Sequence, residues 1–465
     1  MSSGASLAAA PRGWADEFGA TWSLAAPLVL AQLTGIAIYS TDVLMLGWHG
    51  PESLAASALA VNLFFMLNFT GMGMVTAAAP LIAAALGERR HPVRDVRRSF
   101  RSALHAALLY VIPSWLILWH CEDLLVLFGQ DPRLSADAGG FMRILQWTLL
   151  PNLLIMIFRS LLTALGRPGV TLVVTIGGLA LNAAIAWMLI FGNWGAPELG
   201  LNGAAWASLT TTFSMAAALA IYIAVHPRIR RFHAFGRFHR IDRERLRQVF
   251  RIGTPIALTL LFEVTVFGAA VYLMGWISTS SVAAHAIALQ IASITFMVPL
   301  GLSQATVIRV GLAYGARDRR WIGLAGWTSL AIALAFMSVS AVLMWSFPRQ
   351  IASLFLDAGD PASAQVLDLT VTFLGIAALF QLFDGAQVIG SAMLRGLQDT
   401  RVPMLFALFG YWVAGLGSGY LLAFRAGWTG VGIWTGLALG LFVVSLLMMW
   451  RWSRRESLGL VPQPA

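Results

Sequence analysis

An all-α integral membrane protein, with twelve transmembrane helices in two pseudo-symmetric six-helix bundles, is predicted by three features of the chain. Of its 465 residues 58% are hydrophobic and only 11% charged, with a mean hydropathy of +0.76, well outside the range of a soluble domain of this size. Apolar runs of the ~20 residues needed to cross a bilayer occur twelve times. The chain is also written twice. Sliding it on itself by 228 positions brings Pro27 onto Pro255, Gly47 onto Gly275, Gly73 onto Gly301 and Gly87 onto Gly315. A second block, shifted by 227, lays Leu127-Phe128 over Leu354-Phe355 and Gly200 to Gly203 over Gly427 to Gly430.

The first span, 22–46, contains Pro27, which removes a backbone donor and bends a helix, and Asp42 fifteen residues later. The second, 54–78, leads into Arg89, Arg90, Arg94, Arg97 and Arg98. The third, 97–119, holds His105 and ends before an acidic loop with Glu122, Asp123, Asp131 and Asp137. The fourth, 139–164, carries Arg159 toward its far end, and the fifth, 168–191, carries Asn182. The sixth, 201–225, follows Glu198 and precedes Arg228, Arg230, Arg231, Arg237, Arg240, Arg243, Arg245 and Arg247. The seventh, 250–276, has Glu263 thirteen residues from either end, and the uncharged Ser278 to Ser281 turn follows. The eighth, 282–306, contains His285 and Gln290, and Arg317, Arg319 and Arg320 come after it. The ninth is 321–345, the tenth, 367–395, holds Gln381, Asp384 and Gln387, and 402–423 and 429–450 complete the count.

All 31 basic residues are arginines, giving a net charge of +10. They crowd the loops after even-numbered spans, so the positive-inside rule places those loops and both termini in the cytoplasm. That distribution makes the basic excess topological and excludes a nucleic-acid partner. The expected division is a cytoplasmic segment 1–21, an N-lobe 22–225, a basic linker 226–249, a C-lobe 250–450 and a cytoplasmic tail 451–465. Within the linker, Ile241 to Arg251 reads as a short amphipathic surface helix. Six spans per repeat is an even number, so the lobes are related by an axis along the membrane normal, with substrate expected in the cleft between them. Two internal lobes form that cleft without a partner chain, so a monomer in the lipid bilayer is expected. One cysteine, Cys121, excludes an intrachain disulfide, and no Cys and His spacing suits a metal. Residues 1–20 contain Asp16 and Glu17 and lack a signal-peptide h-region. No Walker-type phosphate loop is present, so neither catalysis nor a cofactor is expected, and transport runs on an ion gradient or passively.

Three acids interrupt spans: Asp42, Glu263 and Asp384. A charge at mid-membrane costs roughly 2.5–3.5 kcal/mol on insertion scales, so such residues mark ion or substrate pathways. The duplication does not explain them, since Asp42 falls opposite Ala270, Glu263 opposite Gly35, and Asp384 opposite the apolar 154–157 run. Glu263 and Asp384 share one bundle and one depth, which makes a cation site, holding Na⁺ through oxygens or sharing a proton. The alternative is a pair of structural acids satisfied by hydroxyls. Asp42 lies about 12 Å beyond its helix midpoint at 1.5 Å per residue, and reads either as a group coupling protonation to bending at Pro27 or as an interfacial acid reaching headgroups. Asn182 is its plausible neutral partner. Gln32 is a candidate for lining the N-terminal cavity and Gln290, Gln381 and Gln387 the C-terminal one, against a role as interhelical glue. His105 and His285 read as packed histidines. The 27 Phe and 18 Trp could furnish an organic-cation pocket, although most suit lipid contact.

These residues resemble the multidrug and toxic compound extrusion (MATE) antiporters, and within them the NorM-type branch. The resemblance covers about 20 to 450 and rests on Pro27 through Asp42 to Gly47, Gly195 to Gly200, Phe262-Glu263-Val264-Thr265, Gln381 to Asp384, and Leu394 to Asp399. It implies V-shaped lobes and export of varied organic cations in exchange for Na⁺ or H⁺ by alternating access in a cell inner membrane. Carried over by residue, Glu263 and Asp384 match the C-lobe cation-site acids, Asp42 the N-lobe acid of proton coupling or drug binding, and Asn182 a polar fifth-helix position. Ala186 departs from the pattern, standing where many relatives carry a polar or acidic residue, which shifts the expected coupling site toward the C-lobe. The rival readings are a lipid-linked oligosaccharide flippase of related fold, which would want a cavity rich in arginine, and a non-transporting scaffold or receptor.

Overall fold

The computed structural model describes residues 10–11, 13–88, 91–236, 238–356 and 361–462. Arg89, Arg90 and Arg237, counted above with the loop arginines, lie outside the described residues. Among the described residues there is no strand, and twelve helices are long and apolar enough to cross a membrane. They are α1 (Trp14–His49), α2 (Pro51–Glu88), α3 (Pro92–Trp119), α4 (Pro132–Ala164), α5 (Pro168–Phe191), α6 (Gly200–Val225), α7 (Arg243–Ile277), α8 (Thr279–Gly315), α9 (Arg319–Ser346), α10 (Ser363–Gly396), α11 (Arg401–Arg425) and α12 (Thr429–Ser453).

Local chemistry sets the ends. Proline opens α2, α3, α4 and α5, where a missing N–H costs nothing because first-turn donors have no partner in the helix. The Asp131 carboxylate accepts from the Arg133 and Leu134 amides, and this cap starts α4 seven residues before the hydropathy limit of 139. Ser278 and Asp318 cap α8 and α9 in the same way. Left-handed Gly192 (φ 69°) closes α5.

Two expectations require correction. The sequence 241–251 is no separate surface helix: Arg243 onward forms the opening turns of one continuous helix, α7, that runs to Ile277. Likewise α1 begins at Trp14, inside the segment expected to precede the first span. In both cases charged residues lowered local hydropathy while helix hydrogen bonding continued through them. α11 also departs from regular geometry, with π-helical stretches at Phe409–Gly417 and Leu421–Arg425.

The chain forms two compact units, one of Leu30–Ala257, the other of the segment ending at Val29 together with the chain from Leu258 onward. These boundaries differ from the hydropathy division at 226–249. They fall inside α1 and α7, just after the repeated prolines Pro27 and Pro255. Glycine explains where the crossing happens. In the first unit a Cβ on Gly73 of α2 would lie 2.6 Å from the Ala257 Cα, and in the second a Cβ on Gly301 of α8 would lie 2.7 Å from the Val29 Cα. Gly73 and Gly301 are repeat equivalents, and so are Val29 and Ala257. Each unit therefore holds the opening half of the other repeat's first helix against its own glycine.

Candidate functional site

Within the first unit Asp42 of α1 meets α5 and α6. These two helices approach closely because Gly203 has no side chain; a Cβ there would sit 2.5 Å from the Leu189 carbonyl oxygen. Ser208 of α6 donates its hydroxyl to Asp42 Oδ2 at 2.7 Å. Asp42 Oδ1 is buried and finds no hydrogen-bond partner among the described residues. Asn182 of α5 is buried beside the carboxylate, yet neither atom of its carboxamide completes a hydrogen bond among the described residues. Ser208 was not singled out in the sequence. Its signal was the cluster of hydroxyls Ser208, Thr210, Thr211 and Thr212 in the middle of a span, in which Thr210 and Thr212 bond to their own backbone. Gln32 belongs elsewhere: its Oε1 accepts from Arg159 Nη1 at 2.6 Å.

In the second unit Glu263 of α7 lies within electrostatic reach of Asp384 and of Arg395, both on α10, and Tyr411 of α11 lies within reach of all three. Asp384 and Tyr411 are buried, and Glu263 is half-buried. Gly385 beside Asp384 lets Met337 of α9 lie against α10, since a Cβ there would be 2.8 Å from Met337 Cγ. Tyr411 sits in the first π-helical stretch, a feature often found at functional sites. That stretch packs tightly on α12: a Cβ on Gly440 would meet the Gly410 carbonyl oxygen at 2.6 Å and the Gly415 Cα at 2.7 Å. A small cavity of about 10 Å³ lies beside Tyr411, near the lower limit for one water.

The glutamines separate. Gln387 points its Nε2 at Asp384 Oδ1 across a long 3.5 Å, and buried Gln381 contacts Met344 Sδ at 3.2 Å. Gln290 is exposed on α8, and buried His285 packs against Trp434, ring centroids 5.4 Å apart. Among the described residues no group of three or more His, Cys, Asp or Glu side chains is arranged to hold a metal. The C-terminal acids are a pair, and Arg395 offsets one of them. Arg395 lies near the end of its helix, and its long side chain brings its charge back to Glu263. Tyr411 shares its span with two other hydroxyls, Ser418 and Tyr420, and nothing in the residue order singles it out.

Glu17, a further acid unmarked by the sequence, is fully buried. Its Oε1 accepts from Arg309 Nε at 2.8 Å and from Thr21 Oγ1 at 3.1 Å. Its Oε2 accepts from Arg309 Nη2 and, at 3.2 Å, from Trp321 Nε1.

A family model described as MatE matches residues 27–188 and again 255–421, two matches that begin at the repeated prolines. The chain is 47% identical over 446 residues to a probable multidrug resistance protein NorM of Mesorhizobium japonicum, covering 96% of each. It is 39% identical to the multidrug resistance protein NorM of Burkholderia vietnamiensis, covering 98% of each. Among solved structures, an outward-facing multidrug resistance MATE family transporter superposes with a TM-score of 0.86 at 19% identity, covering 99% of each chain. A transporter of the MOP superfamily from Pyrococcus furiosus superposes with a TM-score of 0.82 at 20% identity, with the same coverage. These two likenesses concern the fold alone.

Proposed function

Because the chain belongs to the MatE family, we propose that it is a secondary active multidrug exporter, exchanging cationic organic compounds for Na⁺ or H⁺ by alternating access. The single observation that carries this reading is the proximity of Glu263 and Asp384 within one unit, with one guanidinium among the described residues, that of Arg395, acting on Glu263. With both acids ionised the cluster holds one uncompensated negative charge. An uncompensated charge in a membrane interior is costly, and one monovalent cation, proton or Na⁺, cancels it. Cation release then leaves a site that attracts a cationic substrate, so ion and drug exclude each other through a shared charge. Exclusion of this kind is what couples the two fluxes.

Asp42 offers a second carboxylate, oriented by Ser208 and with one oxygen unsatisfied, suited to a proton or to the cationic part of a substrate. The family relation and the relatives' names support a bacterial-type inner membrane location, and the arginine distribution supports cytoplasmic termini. Efflux of ethidium from proteoliposomes, under an imposed Na⁺ gradient and in parallel an imposed pH gradient, tests the proposal. Acceleration by one gradient is expected and identifies the ion. Glu263→Gln or Asp384→Asn should abolish it with expression unchanged; exchange retained in both variants would sink the assignment.

A further inference from the structure

His285 of α8 is fully buried, and neither of its ring nitrogens finds a hydrogen-bond partner among the described residues. His105, by contrast, has its Nε2 3.0 Å from the Phe238 carbonyl oxygen. The ring beside His285 is that of Trp434 in α12, centroids 5.4 Å apart, and the Trp434 Nε1 is equally buried and unpartnered. A neutral imidazole offers one N–H and one lone pair, and the indole adds a second N–H. Ring packing satisfies none of the three, and buried polar groups ordinarily bond to protein or to internal water. Among the described residues no charged side chain acts on His285, and no cluster of metal ligands contains it.

Depth gives these atoms a place in the unit. His285 stands six residues after Thr279, where α8 begins, and Trp434 five residues after Thr429, where α12 begins, about 8–9 Å from those ends at 1.5 Å per residue. Both beginnings lie at the end of the unit opposite the turn of Arg317 and Arg319. Glu263 is fourteen residues from the close of α7 on that same side, so the acid sits deeper by about 12 Å. A continuous line of contacts joins the two levels. Trp434 meets Phe380 of α10 edge to face, centroids 5.6 Å apart, and Phe380 lines the cavity of about 10 Å³ together with Tyr411. The Tyr411 hydroxyl is also buried and unpartnered, and it feels both Glu263 and Asp384. Asp384 itself is one turn beyond Phe380. Every member of this line belongs to the second unit.

We propose that His285 and Trp434 hold internal water, and that His285 passes protons between the nearby end of the unit and the Glu263–Asp384 pair. The assignment rests on those acids being the coupling site and the proton being its ion. One ring nitrogen accepts a proton from water on the side of that end while the other gives its own to water on the side of the acids, and a carboxylate of the pair receives the proton passed on. A turn of the ring restores the starting tautomer, so the imidazole begins and ends each cycle neutral. Full-length protein in detergent is exposed to X-ray radiolysis, which oxidises side chains beside bound water. Mass spectrometry then compares Trp434 with Trp321, a buried indole whose N–H is taken by Glu17; Trp434 should be the more oxidised. His285→Phe keeps an aromatic ring, and His285→Gln keeps a donor and an acceptor without a pair of exchangeable nitrogens. In proteoliposomes under an imposed pH gradient both should slow ethidium efflux on the order of a hundredfold, as loss of a positioned proton carrier does, with ethidium affinity in detergent unchanged. Trp434 oxidised no more than Trp321 would overturn the water. Efflux at the wild-type rate in both variants, or a slowing matched by lost ethidium affinity, would overturn the relay. Wild-type exchange driven by Na⁺ alone would overturn it too while leaving the role of the acids standing, whereas pH-driven exchange retained in Glu263→Gln and Asp384→Asn would overturn the coupling site on which the relay rests.

Discussion

Replacing Glu17 by alanine removes the counter-charge of a guanidinium that is only 1% exposed. Four donor atoms converge on that carboxylate: two from Arg309, the Trp321 indole and the Thr21 hydroxyl. Breaking a buried pair from one side costs about 3–5 kcal/mol, because the surviving charge stays in a medium that solvates it poorly. That corresponds to roughly a hundred- to several-thousand-fold in the folded to unfolded ratio. Replacing both partners by apolar side chains of similar volume, as in Glu17→Met/Arg309→Met, removes both desolvation penalties and should fall within about 2 kcal/mol of wild type. The assay is loss of far-UV ellipticity against denaturant in detergent, for Glu17→Ala, for Glu17→Met and Arg309→Met singly, and for the double variant. A double variant more stable than either single variant is expected. If Glu17→Ala unfolds within about 0.5 kcal/mol of wild type, or the two losses simply add, the carboxylate is not neutralising Arg309 and the reasoning fails.

Two other predictions concern the helix crossing and the linker. Gly73→Ala forces a methyl onto the Ala257 backbone, whereas Gly35→Ala on α1 meets nothing within 4 Å; the first should cost about 1–3 kcal/mol and the second should be neutral or gain up to ~1 kcal/mol in helix propensity. Thiol-dye labelling of Cys121 during heating reads this difference, because burial foremost, with the Glu122 charge, pushes that buried thiol up to about 11 and keeps it inert until unfolding; equal labelling temperatures would refute the close approach. The Arg98 hydrogen bond, ahead of other causes, holds Asp242 below the usual carboxylate range. Its stabilisation is therefore present above the unfolded value near 3.9 and lost as pH falls through the lower folded value. The stability gap between wild type and Asp242→Asn should hold steady from pH 7 to about 5 and shrink below about 4; a gap that widens in acid would refute the pairing.

Much of the candidate site was legible because a membrane interior makes charge conspicuous. Asp42, Glu263 and Asp384 stand out in any apolar run, and the structure places the latter two together. Gln32, Gln290 and Gln381 show the weakness of the same reasoning for neutral groups. An amide in a helix tolerates many partners, and these three met an arginine, an exposed surface and a methionine sulfur respectively. Ser208 was hidden because a serine in an apolar helix ordinarily bonds its own turn, and Tyr411 because one aromatic among many reads as lipid contact. Glu17 escaped notice for another reason: it fell in the segment 1–21 expected to precede the first span, where it counted, with Asp16, only as a charge that argues against a signal peptide.

By itself the sequence determined the membrane class, the twelve spans and the duplication, since hydropathy, span length and internal repetition are properties of the chain read in order. It also marked the three acids, because the cost of burying charge depends on the surrounding run and hardly on what lies across from it. Only the tertiary structure decided which acid meets which donor and where α1 and α7 pass from one unit to the other. Those outcomes depend on how each helix is rotated about its axis and on where a missing side chain lets backbones touch, as at Gly73 and Gly301. Rotation and contact arise between segments far apart in the chain, and no local window of residues contains them.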